Sequence, residues 1–234
     1  MMKALILSLS LCVVLASCSS GGAKVDNSLT AANLKGSVKK VIETSYRARK
    51  RDGEFTRGRA NPTYTIREYN DRGFLIKESK LYSDDNSLSS TYEYLYDYGD
   101  NLQRINIYDQ EGGLISYTEV TELQGKQAII KAKEYYGEGD DKILTGYTEM
   151  DWENYRVMAV RAFDENNNLK TTQTYYYGLQ NDLGRLDIDN VEGRDYITTY
   201  TYPEYDRNKN WTRQIREYQD YPINEWTERV IEYY

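Results

Sequence analysis

Two short loops place acidic and amide side chains at the spacing that a calcium-binding loop uses. Residues 164–168 read D-E-N-N-N and residues 206–210 read D-R-N-K-N, which matches the opening D-x-N-x-N of an EF-hand loop. The sixth position of that loop requires glycine, but here it is Leu169 in one copy and Trp211 in the other. Because Asp and Asn also stabilise turns without a metal, we expect ordinary turns at both places and no metal.

Carboxylates are the other side chains in this sequence that could take part in a reaction. The chain has 37 acidic residues and no histidine, which removes the usual zinc sites, histidine triads and imidazole bases. Asp84-Asp85 and Asp140-Asp141 are adjacent acids, but they lie in predicted turns, where solvated acids are common. We therefore predict no catalytic residue and no cofactor. A carboxylate-dependent glycan hydrolase stays open as the alternative function.

Tyrosine is the most unusual feature of the composition, with 25 copies against three Phe and three Trp. Its ring is apolar and its hydroxyl polar, so it suits both half-buried strand positions and ligand contacts. Structural use in the core is the simpler interpretation, and an aromatic ligand platform is the alternative. The candidate ligand-binding residues, chosen because they share a side of their predicted strands, are Tyr92, Tyr94, Tyr96, Tyr175, Tyr177, Tyr200, Tyr202 and Trp211.

The elements that must position these side chains are strands joined by tight turns. Apolar or aromatic residues alternate with polar ones, as at Tyr92, Tyr94 and Tyr96, and turns rich in Gly, Asn and Asp recur every 12–14 residues. The pattern predicts an all-β fold, a long antiparallel meander of about 12–13 strands that forms a curled open sheet or a barrel-like shell. The predicted strands lie near 37–46, 63–69, 74–82, 88–96, 102–108, 114–123, 127–136, 143–152, 155–163, 169–177, 186–202 (one or two strands), 211–218 and 226–234.

The turns also carry a family resemblance. Residues 108–114, Y-D-Q-E-G-G-L, resemble the YD repeat of Rhs-type proteins, and residues 69–74, 96–102, 163–169 and 205–211 match it with substitutions. The resemblance covers about 63–234 and implies a β-shell, although proteins with true YD repeats build much larger shells around a toxin. The C-terminal stretch is similar to the end of uncharacterised lipoproteins from Gram-negative gut anaerobes.

The N-terminal sequence predicts that the protein is exported and lipidated. A positive charge, an apolar run too short to span a bilayer, and Leu15-Ala16-Ser17-Cys18 form a signal peptide (1–17) with a lipobox. We expect lipid on Cys18, a flexible tether over 18–34 and a single all-β domain over 35–234. Ser19 favours the outer membrane by the enterobacterial sorting rule, and the lack of an acidic cluster after Cys18 favours the periplasmic face over the cell surface.

Charge is unevenly distributed along the chain. Residues 18–59 hold ten Lys/Arg against four Asp/Glu, a net of +6, whereas residues 60–234 hold nineteen against thirty-three, a net of −14. An acidic body argues against a nucleic-acid partner. The basic stretch from Arg47 to Arg59 is predicted to be a solvated mobile loop, with contact to anionic lipid headgroups as the alternative.

These observations predict a non-enzymatic, lipid-anchored cell-envelope protein. Its tyrosine-rich β-surface would bind a ligand, with a glycan or a peptide as the expected class, or a protein partner of the outer membrane. A structural accessory of an outer-membrane complex is a further alternative, alongside the hydrolase.

Cys18→Ala should abolish lipidation, because the thiol is the acceptor of the lipid. Metabolic labelling with palmitate, followed by fractionation, checks this: the variant should carry no label and should leave the membrane fraction. Label that persists in the variant would refute the assignment of the anchor.

Overall fold

The computed structural model describes residues 27–154, 156–178, 181–219 and 224–234. Fourteen antiparallel strands follow one another around a closed barrel, and the first strand pairs with the last. The prediction of an all-β meander curling into a barrel-like shell is confirmed. The strands are β1 Val38–Arg51, β2 Glu54–Tyr69, β3 Leu75–Tyr82, β4 Leu88–Tyr96, β5 Leu102–Tyr108, β6 Leu114–Gln124, β7 Ala128–Tyr136, β8 Ile143–Glu153, β9 Arg156–Asp164, β10 Leu169–Tyr177, β11 Leu183–Asn190, β12 Tyr196–Tyr205, β13 Trp211–Tyr218 and β14 Asn224–Tyr233.

The recurring turns share one hydrogen-bond arrangement. In the turn after β5, the Oδ1 atom of Asp109 accepts the backbone N–H groups of Glu111 and Gly113, at 3.0 and 2.7 Å. Gly112, three residues after Asp109, adopts the left-handed conformation with φ of +84°. The same side-chain acceptor geometry heads the turns at Asn70, Asp97, Asp164 and Asp206. In the two calcium-like loops, this leading carboxylate therefore bonds to the turn backbone, as expected for ordinary turns.

Cross-strand partners lie on the same face of the sheet, so the register separates inner from outer residues. One buried cluster identifies the inner face. It contains side chains from strands β5 to β11, including Ile105, Ala132, Met150, Val160 and Leu186. A second cluster on this face includes Val41, Tyr69 and Leu75, and Tyr94 packs against both clusters. The outer face carries charged rows, such as Lys131 beside Glu149 and Glu149 beside Arg161.

One end of the barrel is closed by residues 27–36, which we call the N-terminal plug. It contains the short helix α1, Ser28–Ala31, which is capped by Asn27. The plug crosses from one side of the barrel to the other, because Ser28 bonds to Gln127 and Lys35 bonds to Asn210. Its hydrophobic side chains, Leu29, Ala31 and Leu34, are buried.

The structure differs from the sequence prediction in two places. Residues 27–34 belong to the plug, although they were predicted to be part of a flexible tether. The basic stretch Arg47–Arg59 is a β-hairpin rather than a loop, because β1 and β2 continue through it to a turn at Asp52-Gly53. The predicted region 186–202 contains parts of two strands, β11 and β12. The signal peptide and Cys18 lie outside the described residues.

A pair of glycine variants tests how the plug is held. Gly73 and Gly112 both have φ above +80°, so alanine at either position should cost about 1–2 kcal/mol of backbone strain. A Cβ atom on Gly112 would meet nothing within 4 Å, whereas on Gly73 it would lie 2.9 Å from both Asn27 and Leu29 of the plug. Gly73→Ala should therefore lower the free energy of unfolding more than Gly112→Ala does. Urea denaturation of the detergent-solubilised chain measures both; equal losses would show that the plug does not depend on this turn.

Candidate functional site

The candidate site is the inner face of the barrel at the end opposite the plug, which we call the mouth. Strand β3 ends there in Tyr82, β7 ends in Tyr136 and β12 begins there with Tyr196. Each lies on the inner face, since Tyr82 pairs with Thr63, Tyr136 with Ser116 and Tyr196 with Ile188. The three rings are 38%, 55% and 40% exposed. Exposed aromatic rings on the concave side of a sheet are available to a ligand.

Below the mouth, the eight residues proposed from the sequence divide into two groups. Near the plug, the hydroxyls of Tyr96, Tyr177 and Tyr202 donate to backbone carbonyls, at 2.6, 2.8 and 3.0 Å. Burial raises the pKa of each of these hydroxyls. Because their rings and hydroxyls are both engaged by the protein, these three tyrosines serve the packing of the plugged end.

The remaining five candidates lie elsewhere on the inner face: Trp211 follows Asn210 at the plugged end, and the other four lie along the wall between the two ends. Tyr175 is buried and donates to Gln173, while Tyr94 is half-buried between the two hydrophobic clusters. Tyr92 accepts a hydrogen bond from the Lys80 ammonium, 3.1 Å away. The structure places the last two candidates, also half-buried, beside arginine guanidinium groups: Tyr200 near Arg216, at 5.5 Å, and Trp211 near Arg229, at 3.4 Å.

The lumen also holds a buried charge network that sequence reasoning missed. Glu43 accepts hydrogen bonds from Arg67 and Arg229, and Arg67 also binds Glu78, with its Nε atom 2.7 Å from the carboxylate. These four side chains come from β1, β2, β3 and β14, so they lie across the seam where the barrel closes. No motif in the sequence marks them, because Glu43 and Arg229 are 186 residues apart.

The pKa of Glu43 reports the strength of this network. Burial by itself raises the pKa of the carboxyl, but the nearby guanidinium groups of Arg67 and Arg229 outweigh burial and lower the pKa to about 2. The charges of the two carboxylates and the two guanidinium groups cancel, so this network has no net charge and its members bind one another. It therefore serves as a structural layer beneath the mouth rather than as a binding charge.

A second inner carboxyl behaves in the opposite way. Burial raises the pKa of Glu134, whose carboxylate accepts a hydrogen bond from Thr148 at 2.7 Å. Glu134 lies two residues before Tyr136, close to the mouth, on the same face of β7. A raised pKa favours the protonated form of the carboxyl group, which is the form that a general acid needs.

Above the neutral layer, Arg216 and Glu225 line the wall on β13 and β14. Their side chains approach to 3.7 Å, and the Arg216 guanidinium lies 4.6 Å from the ring of Tyr218. Asn61 and Tyr218 donate the further hydrogen bonds to Glu225. The Nε–H of Arg216 is buried without a hydrogen-bond acceptor, so this guanidinium keeps an unused donor.

Among the described residues, no group of three or more His, Cys, Asp and Glu side chains is arranged to hold a metal ion. Within the same residues, no helix is long and apolar enough to cross a membrane.

No family model and no curated protein matches the chain. Its fold is similar to that of a porin-like protein from Bacteroides uniformis, at 11% identity and a TM-score of 0.48, over 83% of this chain and 96% of that one. A DUF1329 family protein from Desulfovibrio piger aligns at 8% identity and a TM-score of 0.32, over 84% of this chain and 86% of that one. The Tc holotoxin pore of Photorhabdus luminescens aligns at 13% identity and a TM-score of 0.21, over 75% of this chain and 11% of the toxin chain.

Glu43→Gln tests the charge network through its pH dependence. An unfolded glutamate has a pKa of 4.5 and folded Glu43 one of about 2, so the carboxylate contributes fully above pH 4.5 and the contribution is lost as the pH falls toward 2. The difference amounts to about 3 kcal/mol. Glu43→Gln should be less stable at pH 7 and should lose less stability between pH 5 and 2, as followed by urea denaturation.

Glu93→Gln is the matched control, because Glu93 is an exposed carboxylate on the outer face. This control should keep the free energy of unfolding of the parent protein at pH 7. If Glu43→Gln lost as much stability between pH 5 and 2 as the parent protein does, this result would contradict the pKa assigned to Glu43.

Proposed function

We propose that this protein is a lipid-anchored, non-enzymatic binding protein of the bacterial cell envelope, which takes a glycan or peptide ligand at the mouth of its barrel. The observation that carries the proposal is the set of exposed inner-face rings, Tyr82, Tyr136 and Tyr196, at the end that the plug leaves free. Aromatic rings in concave sites stack against sugar rings and apolar side chains.

The polarity of the outer face supports anchoring by lipid rather than by the barrel wall. Outer positions carry charges in neighbouring strands, including Lys77 beside Glu93 and Glu149 beside Arg161. A barrel wall that faces lipid needs an apolar band on that side. Water is therefore the proposed surrounding of this wall, and the lipid on Cys18 is the proposed membrane contact.

The position of the plug gives the anchored protein an orientation. The described chain begins at Asn27, at the plugged end, nine residues after Cys18. Nine extended residues span at most about 30 Å, so the plugged end stays near the anchoring membrane and the mouth faces away from it. This orientation leaves the mouth accessible in the periplasm, on the proposed inner face of the outer membrane.

The alternative function is glycan hydrolysis, and Glu134 is the residue that favours it. Its raised pKa and its place near the mouth suit a general acid. Binding and hydrolysis predict different results from one experiment: a binding protein leaves a bound glycan intact, whereas a hydrolase releases reducing ends that Glu134→Gln would abolish.

A glycan and peptide array, probed with the detergent-solubilised full chain, should identify a ligand. Tyr136→Ala and Tyr196→Ala should each weaken its binding at least tenfold, because an aromatic contact is removed, while the urea midpoint stays near that of the parent. The control is Tyr177→Ala, whose ring packs in the core and whose hydroxyl is bonded to Val157. It should cost about 3–5 kcal/mol of stability.

Two outcomes would refute the proposal. One is that no glycan or peptide binds. The other is that ligand binding survives both mouth substitutions in correctly folded protein, which would place the site elsewhere.

A further inference from the structure

The first two strands continue beyond the barrel as a separate hairpin. Pairing of β1 with β14 ends at Ala48, and pairing of β2 with β3 begins at Thr63, so residues 49–51 pair only with residues 54–56. The turn residues Asp52 and Gly53 both have positive φ, 52° and 88°, as in the tight turns that match the twist of a hairpin. We call residues 47–60 the basic hairpin; it stands at the mouth.

A close contact fixes the shape of the basic hairpin. A Cβ atom at Gly58 would lie 2.7 Å from the carbonyl oxygen of Arg47, so the two strands approach closely where β2 carries extra residues. The Thr56 hydroxyl donates to the carbonyl of Arg49 across the hairpin, at 3.3 Å. The arginines of β1 are therefore held on an ordered strand.

Six basic and two acidic residues make this hairpin positive, although residues 60–234 are strongly acidic. Two of its cations are neutralised on the outer face, where Lys50 binds Glu217 at 2.9 Å and Arg57 binds Glu228 at 2.8 Å. These pairs secure the hairpin to β13 and β14. They take no part in the inner face.

Arg47 and Arg49 differ from those two residues in both position and partners. They continue the inner row of Glu43 and Ser45 along β1, since this strand runs without a register shift against β14 from residue 40 to residue 48. Both are exposed, and so is Arg59. None of the three has an ion pair among the residues that the structure describes.

Arg216 extends this positive row downward into the mouth. It lies on the inner face, since it pairs across strands with Tyr200 and Glu225. Its guanidinium lies 3.7 Å from the Glu225 carboxylate, so Arg216 contributes a half-buried guanidinium that is paired with an acid. The guanidinium groups at the mouth thus form a row from the tip of the hairpin to the half-buried wall.

We infer that the ligand of the mouth is an acidic glycan, a sugar polymer bearing carboxylate groups. This inference rests on the proposed function and narrows its ligand class. Guanidinium groups bind carboxylates through two parallel hydrogen bonds, and exposed tyrosine rings pack on sugar rings. Arg47 and Arg49 are two residues apart, about 7 Å along the strand, which suits charges repeated along a polymer.

The acidic body opposes this binding only through the carboxylates nearest to the mouth. Charges beyond about 8–10 Å are largely screened at physiological ionic strength, so more distant acids act weakly on a carboxylate bound by Arg47 and Arg49. The hairpin also lies at the end of the barrel opposite the plug, away from the proposed anchor. Headgroups of the anchoring membrane are therefore the wrong partner for it.

The probe is an oligogalacturonate of about ten sugars, compared with its fully methyl-esterified form, which has the same backbone without charge. Isothermal titration with the detergent-solubilised full chain should show binding of the acidic form at least tenfold tighter than binding of the ester. Arg47→Gln with Arg49→Gln should remove most of that preference. Lys77→Gln with Lys131→Gln is the control, because it removes the same charge from the outer face of the barrel, away from the hairpin.

The outcomes separate this inference from the proposed function. Equal binding of acid and ester, or equal loss in the two double variants, would overturn the acidic-glycan inference while leaving a mouth ligand in place. Preference for anionic phospholipid vesicles over the oligogalacturonate would overturn it as well. If the protein binds neither a glycan nor a peptide, the proposed function itself is refuted. Thermal unfolding of both double variants verifies that the substitutions leave the barrel folded.

Discussion

The architecture depends on a single local interaction, the side-chain oxygen that heads each recurring turn. When Asp109 accepts the N–H groups two and four residues ahead, the residue three ahead is held in the left-handed conformation. That geometry fixes five residues between the flanking aromatic and the next large apolar residue, and these two residues pair across the strands, as Tyr108 and Leu114 do. Repetition of this turn produces successive antiparallel strands, and a meander of such strands twists until its edges meet.

The same turn has different effects at the two ends of the barrel. At the plugged end, the paired residues point inward and can be fully buried, as with Tyr69 and Leu75. At the mouth, the corresponding residues are more exposed, with Leu169 at 37%. The difference arises because side chains alternate between the two faces along a strand. Whether a strand has an odd or an even number of residues therefore decides on which face the residues flanking the next turn lie. One sequence motif thereby contributes to the core at one end and leaves its flanking residues more exposed at the other.

Strands and turns could be predicted because their signals are local. The basic hairpin was missed as a strand because most of its residues are charged and exposed, so its sequence shows no apolar alternation. The plug was missed because its partners, such as Gln127 and Asn210, are far away in the chain. Alternation selected Tyr92 and Tyr200 as sharing a face with other tyrosines, but it carries no information on which end is plugged. The Glu43–Arg229 contact forms only on closure, which no local pattern reveals.

Closure of the barrel has a consequence for the time course of folding. The last strand pairs with the first along ten positions, and the N–H of Tyr234 bonds to the carbonyl of Ser37. Until β14 is present, β1 and β13 are unpaired edges, which are templates for association with other chains. Joining the two ends of so long a chain also carries a loop-closure entropy that slows assembly. A chain that emerges from its N-terminus is thus exposed to aggregation through most of its assembly, and it becomes edge-free in the final step.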